Sequence, residues 1–131
     1  MERRSKSYII PLKPTPLKRA RLGCGRFYDS QVAEKTTWGL YMLKCHGSAP
    51  MFIKPSQLEV IFFMPVALKN TKKIGTYHAN TPDLDNLVKF LLDAIVDTKT
   101  IITDDRIISA ISAKKMYSNN PRTEFTIREL E

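Results

Sequence analysis

The sequence predicts a mixed α/β (α+β) domain, a small mixed β-sheet packed with two main helices. Three observations carry that prediction. Residues 82–97 repeat apolar side chains at helical spacing. Residues 57–64, 107–116 and 123–130 are strand-like. The order along the chain is strand, helix, strand, helix, then two strands. The 131 residues fit a single domain, expected over 1–131 with residues 1–5 flexible. Apolar residues make up 43% of the chain and charged ones 26%, which excludes disorder throughout.

Each element has a local cause. Residues 6–12 (KSYIIPL) read as a short strand because Tyr8, Ile9 and Ile10 favour extended backbone. Pro11, Pro14 and Pro16 then forbid a helix and stiffen the chain. A helix is expected over about residues 30–45, capped by Asp29-Ser30, with Val32, Thr36, Leu40 and Leu43 at helical spacing. Trp38 and Tyr41 are its expected packing anchors. Gly47 ends it, and a loop with Pro50 and Pro55 follows.

Residues 57–64 (QLEVIFFM) form a strand with both faces covered, since Leu58, Val60 and Phe62 alternate with Glu59, Ile61 and Phe63. Residues 69–79 are polar and basic and are expected to be a mobile loop. In the helix over residues 82–97, Leu84, Leu87, Val88, Leu91, Leu92, Ile95 and Val96 make one apolar stripe, with Thr81 or Asp83 as cap. Residues 107–116 and 123–130 are read as a closing hairpin about the turn Ser118-Asn119-Asn120-Pro121.

Charge supplies the first functional clue. Lysine and arginine number 21 against 13 acids, a net charge of +8, and such a domain favours polyanions. Candidate phosphate contacts are Lys13, Lys18, Arg19, Arg21 and Arg26, with Lys69, Lys72 and Lys73 as a second patch. The two cysteines, Cys24 and Cys45, form no disulfide framework, and Cys45-His46 lacks the second pair that zinc requires. The apolar run 60–68 is broken by Pro65, whereas a membrane span needs about 20 apolar residues. No membrane partner or signal peptide is expected, and the cytoplasm is the expected compartment.

The few acids cluster. Asp83, Asp85 and Asn86 stand at one helix start, Asp104 and Asp105 side by side before a strand, and Lys89 four residues after Asp85. Singly, each has an ordinary explanation as a cap, a turn residue or an i,i+4 pair worth about 0.2–0.5 kcal/mol. Together, converging carboxylates call for a hard cation, and a basic protein with an acidic pocket suits phosphodiester hydrolysis. Lys89 would then stabilise charge or place the scissile phosphate.

The run Pro82-Asp83-Leu84-Asp85-Asn86-Leu87-Val88-Lys89, then Asp93-Ala94, then Asp104-Asp105-Arg106-Ile107, resembles the RusA family of Holliday junction resolvases. The basic, proline-containing stretch 14–28 resembles many members too, so the likeness runs from about Tyr8 to Ile127. The resemblance implies that Asp83, Asp85 and Asp105 are metal-binding catalytic carboxylates, with Asp104 as a neighbouring ligand and Lys89 as the catalytic lysine. It implies dependence on Mg²⁺, with Mn²⁺ able to substitute, and no organic cofactor. It implies a homodimer acting on branched DNA: paired symmetric nicks across a four-way junction, leaving 5′-phosphate and 3′-hydroxyl ends, in recombination and repair. It also implies association with the nucleoid and a phage or prophage origin. The rival readings are a non-catalytic DNA-binding module, a flap or fork nuclease, and a structural protein whose acids only cap helices.

Overall fold

The computed structural model describes residues 3–18, 21–23 and 26–131, with no side chain described between 19 and 28. In chain order the elements are β1 (Ser5–Ile10), β2 (Arg21–Gly23), β3 (Arg26–Tyr28), α1 (Val32–His46), β4 (Ser56–Pro65), α2 (Leu84–Asp97), β5 (Ile108–Ser118) and β6 (Arg122–Glu129). Short 3₁₀ turns cover Leu68–Lys73 and Asp105–Ile107. Strands β1, β6, β4 and β5, in that order, make one sheet, while β2 and β3 form a separate antiparallel ribbon. The predicted class, a small mixed sheet with two main helices, is what forms.

β6 runs antiparallel to both β1 and β4, whereas β4 and β5 are parallel. The predicted closing hairpin is therefore corrected: β4 lies between β5 and β6. The link 119–121 passes the end of β4, where Pro65 faces Ser118 and Phe63 faces Arg122. The physical reason is apolar content. β4 is the strand richest in large apolar side chains, and the middle of the sheet pairs both its edges. A parallel pair cannot be closed by a turn, so residues 66–107 form a crossover that contains α2.

The core side of β4 presents Leu58, Val60, Phe62 and Met64, all buried. Among the described residues no helix lies on the opposite face, which corrects the expectation that both faces are covered. There Phe63 lies under the Arg122 guanidinium at 3.8 Å, and Glu59 accepts a hydrogen bond from Arg128 at 2.9 Å. At the sheet's other edge Tyr8 stacks on Phe125, with centroids 4.7 Å apart. Ser5 and Arg4, expected in a flexible lead, are docked: Ser5 opens β1 and the Arg4 guanidinium lies 3.8 Å over the Phe52 ring.

α1 buries a different face from the predicted one. Val32 and Leu40 are exposed, as is Tyr41, while Lys35, Trp38, Gly39, Met42 and His46 face inward. The reason is that two buried polar side chains, Gln31 and Lys35, find hydrogen-bond partners there, so hydropathy alone picks the wrong stripe. Trp38 is an anchor as expected, meeting Phe90 of α2 edge-on at 5.0 Å. α2 buries Leu87, Phe90, Leu91, Ala94 and Ile95, in keeping with its periodicity.

Residues 69–79, expected to be mobile, are built onto the far edge of β5. The Gly75 and His78 N–H groups donate to the carbonyls of Tyr117 and Lys115, and the Tyr117 N–H donates to Thr76. Gly75 sits at φ +87°, a left-handed turn that a side chain would strain.

The pair Cys45-His46 serves packing. Cys45 Sγ donates to the Ile9 carbonyl at 3.7 Å, and His46 Nδ1 lies 2.7 Å from the Tyr8 hydroxyl. Burial holds the His46 pKa below its ordinary value, helped by the charges of Arg4 and Lys6; burial and Lys115 do the same at His78. A histidine that resists protonation when folded binds fewer protons than it does unfolded. Its stability contribution is complete above about pH 6.5 and is lost as pH falls below that. Thermal unfolding should give a flat melting temperature above about pH 7 and a falling one on acidification below about pH 6.5. His46→Gln should make that fall shallower; an unchanged profile would refute the assignment.

Candidate active site and nucleic-acid interface

The crossover from β4 to β5 carries the acidic residues. Asp83 occupies the N-cap position of α2 at ψ 143°, yet its carboxylate accepts no capping hydrogen bond. Its oxygens are thus not engaged in the role a cap would give them. One turn on, Asp85 pairs with Lys89 at 3.8 Å, and both side chains are well exposed, at 69% and 61%. The pair therefore adds little to stability. Asp93 continues the stripe, so the three residues span about 12 Å of helix axis.

The other two candidates follow α2. Residues 98–103 are pinned under the loop after α1: the Phe52 N–H donates to Ile101 O at 2.8 Å, and the Thr103 N–H to Phe52 O at 3.2 Å. Ile101 and Ile102 are fully buried beside it. This anchor sets where the next two residues stand. Asp104 caps the second 3₁₀ turn, accepting from the Arg106 N–H at 2.9 Å and from its guanidinium at 3.2 Å. That backbone bond, then the hydrogen bond with Asp105, holds the Asp104 carboxyl below its ordinary pKa. Asp105 is displaced the other way, first by its hydrogen bond with Asp104, then by the charges of Asp104 and Asp93.

Asp83 and Asp85 stand at the start of α2, and Asp104-Asp105 at the second 3₁₀ turn, where the charge of Asp93 is felt. Among the described residues no three side chains of His, Cys, Asp and Glu are grouped to hold a metal ion.

Two residues that sequence reasoning passed over organise this region. Lys35 of α1, with its side chain 8% exposed, places Nζ 2.7 Å from Asp29 and 3.5 Å from Asp93. Burial opposes its charge, but the hydrogen bond and charge of Asp29, with Asp93 behind, outweigh that and raise its pKa. Gln31, 1% exposed, clamps the proline-rich arm: its Oε1 accepts from the Lys18 N–H and its Nε2 donates to Pro16 O. The Leu17 N–H donates to Asn86 O at 2.9 Å, so the arm is fastened to the first turn of α2. Only a sequence signal linking residue 35 to residues 29 and 93 could have shown this, and helical periodicity has no reach of that kind.

The basic candidates fall into two groups. Lys13 and Lys18 are exposed on the clamped arm, and Lys69, Lys72 and Lys73 are exposed on the Leu68–Lys73 turn. Arg19 lies outside the described residues, as do the side chains of Arg21 and Arg26. Lys115 fixes the lead into Asp83, its Nζ donating to the carbonyls of Asn80 and Pro82 at 2.8 Å each. No helix among the described residues is long and apolar enough to cross a membrane.

Comparison with known proteins gives a consistent picture. Residues 11–128 match the family described as endodeoxyribonuclease RusA. The chain is 36% identical over 76 residues to the crossover junction endodeoxyribonuclease RusA of Lactococcus phage r1t, covering 58% of this chain and 56% of that protein. It is 32% identical over 94 residues to the uncharacterized protein YqaN of Bacillus subtilis (strain 168), covering 65% of each. The matched stretches thus span less than two thirds of either relative.

Replacing the buried ammonium tests its structural weight. Lys35→Met leaves Asp29 and Asp93 without their shared partner, but both can reach water, at 39% and 47% exposure. The loss should therefore be about 1–3 kcal/mol in denaturant unfolding, below that of a fully buried broken pair. A variant as stable as the parent would show that the bridge is not formed.

Proposed function

The chain belongs to the RusA endodeoxyribonuclease family, and from that premise we propose that it is a structure-selective endonuclease cutting four-way DNA junctions. The observation that carries this reading is the placement of Asp83, Asp85 and Lys89 at the start of the crossover helix, with Asp104-Asp105 where the crossover ends. The reaction is phosphodiester hydrolysis to 5′-phosphate and 3′-hydroxyl ends, and its setting is recombination and repair of DNA. A phage relative fits a phage or prophage origin, with action in the cytoplasm at the nucleoid.

A divalent cation suits the donor set. Asp83 and Asp85 at the head of α2, and Asp105 with Asp104 after it, offer the hard oxygen ligands that Mg²⁺, or Mn²⁺ in its place, prefers. They would hold it once drawn together, since among the described residues they are not grouped into one site. When bound, such an ion activates water and neutralises charge on the phosphate. The remaining work belongs to side chains. Lys89, exposed and oriented by Asp85, donates to a non-bridging phosphate oxygen and offsets the charge that develops there. Lys13, Lys18, Arg19, Arg21 and Arg26 on the arm, and Lys69, Lys72 and Lys73 on the turn, neutralise backbone phosphates. Each such contact adds about one unit to the salt dependence of binding.

A symmetric substrate favours a symmetric enzyme, so the working form is a homodimer. We assign the contact to the helix-free face of the sheet. It exposes Ile9 and forms a hollow of about 340 Å³ where Glu59 and Glu124 alternate with Lys114. Two copies related by a two-fold axis can set those opposite charges against each other.

A synthetic junction incubated with and without Mg²⁺ tests the chemistry. Paired nicks should require the metal, and Asp85→Asn should abolish them while keeping junction affinity. Lys89→Ala should slow cleavage by about 10²-fold or more with little change in melting temperature, since its ion pair is exposed. Tight binding without cleavage in any divalent metal would favour a binding module. For the assembly, sedimentation equilibrium should return twice the 15.0 kDa chain mass, and Ile61→Asp should return the monomer. A wild-type monomer at assay concentrations would overturn the dimer.

A further inference from the structure

The turn and loop over residues 68–77 hold apolar side chains where water reaches them. Leu68 is 95% exposed and Tyr77 71%, while Lys69, Lys72 and Lys73 lie exposed between them. A lone exposed leucine is unremarkable. This pair differs in three respects. It is interleaved with lysines, which bind phosphate backbones and so would bring the apolar groups against DNA. The loop is not slack: Tyr77 bridges to Met116 of β5, the Gly75 and His78 N–H groups bond β5 carbonyls, and the Ile74 and Thr76 N–H groups close turns on Thr71 and Lys73. Finally, the loop is coupled to the chemistry. Lys115 accepts the His78 N–H on its carbonyl and with its side chain holds Asn80 and Pro82, the residues leading into Asp83.

Intact duplex buries its base faces, so an apolar side chain gains contact area only where stacking is interrupted. The branch point of a four-way junction is such a place. Wedges of this kind are worth their exposure because they pack against unstacked bases, while neighbouring cations hold the phosphates. On the reading above, which this inference extends, we propose that Leu68 and Tyr77 contact the unstacked bases at the junction branch point and so determine selectivity for branched over linear DNA. Lys69, Lys72 and Lys73 supply the attraction common to both substrates, and the apolar pair supplies the preference. Through Lys115 the branch point is then registered against Asp83.

The test uses the full chain in metal-free buffer, so that binding is read apart from cleavage. The probes are a four-way junction with 2-aminopurine at the branch point, the same junction labelled within an arm, and a linear duplex of equal length. Wild-type protein should change the emission of the branch-point label and not of the arm label. Leu68→Ser and Tyr77→Ser should each remove that change and lower the junction-to-duplex affinity ratio by about tenfold, the factor carried by one lost base contact. The salt dependence of duplex binding should stay as it is, because the lysines remain. At their exposure both variants should melt with the parent.

If the variants keep the fluorescence change and the affinity ratio, the inference falls and the junction nuclease stands. If the wild type binds junction and duplex equally and, with Mg²⁺ restored, cuts neither, both fall together. Loss of duplex and junction binding in equal measure would also overturn it, since the loop would then be a general contact.

Discussion

The parallel pairing of β4 with β5 is the constraint from which the rest follows. A parallel neighbour cannot be reached by a turn, so the chain leaves β4 at Pro65 and returns only at Ile108. Apart from the amino-terminal arm, every candidate for chemistry or DNA contact lies on that excursion. The lysine turn comes first, Asp83 and Asp85 open its helix, and Asp104-Asp105 stand just before β5. β5 receives the ends of this excursion: its edge holds residues 75–78, Lys115 holds the lead into Asp83, and its first residues follow the second 3₁₀ turn. One strand therefore sets the position of two groups far apart in sequence.

Charge is distributed to match. Between residues 3 and 28, and again between 60 and 82, the sequence contains no acid. Several cations elsewhere are occupied inside the molecule: Lys35 by Asp29 and Asp93, Arg122 by Glu124, and Arg128 by Glu59. Those pairs cancel without changing the total, so the net charge of +8 resides mainly in the two acid-free stretches. The basic surface and the acidic stripe are thus separate in sequence, and Gln31 and the Leu17–Asn86 bond bring the first basic stretch to the head of the acidic helix.

What could be read in advance divides by range. α2 was legible because its apolar stripe is local and nothing polar competes for it, and β4 because its run of strand-forming apolar residues is continuous. The Asp85-to-Lys89 spacing was legible because helical geometry places i and i+4 together. α1 was not, since its inward face is chosen by Lys35 and Gln31, whose partners are Asp93 and the arm. A buried lysine reads as surface in any hydropathy pattern. The split of β5 from β6 was hidden for the same kind of reason: a three-residue link looks like a hairpin until a third strand claims the space between.

Lys35 also shows how the acidic stripe is accommodated in the folded protein. The charge of Asp93 is felt at Asp105, and like charges at that end repel one another. An ammonium 3.5 Å from Asp93 offsets part of that repulsion from the buried side, leaving the outward side to Asp85 and Lys89. The internal cation therefore offsets acidic charge within the fold, and Asp85 stays open to solvent. The compensation is divided: Lys35 supplies it between the two helices, while Asp85 and Lys89 pair in solvent.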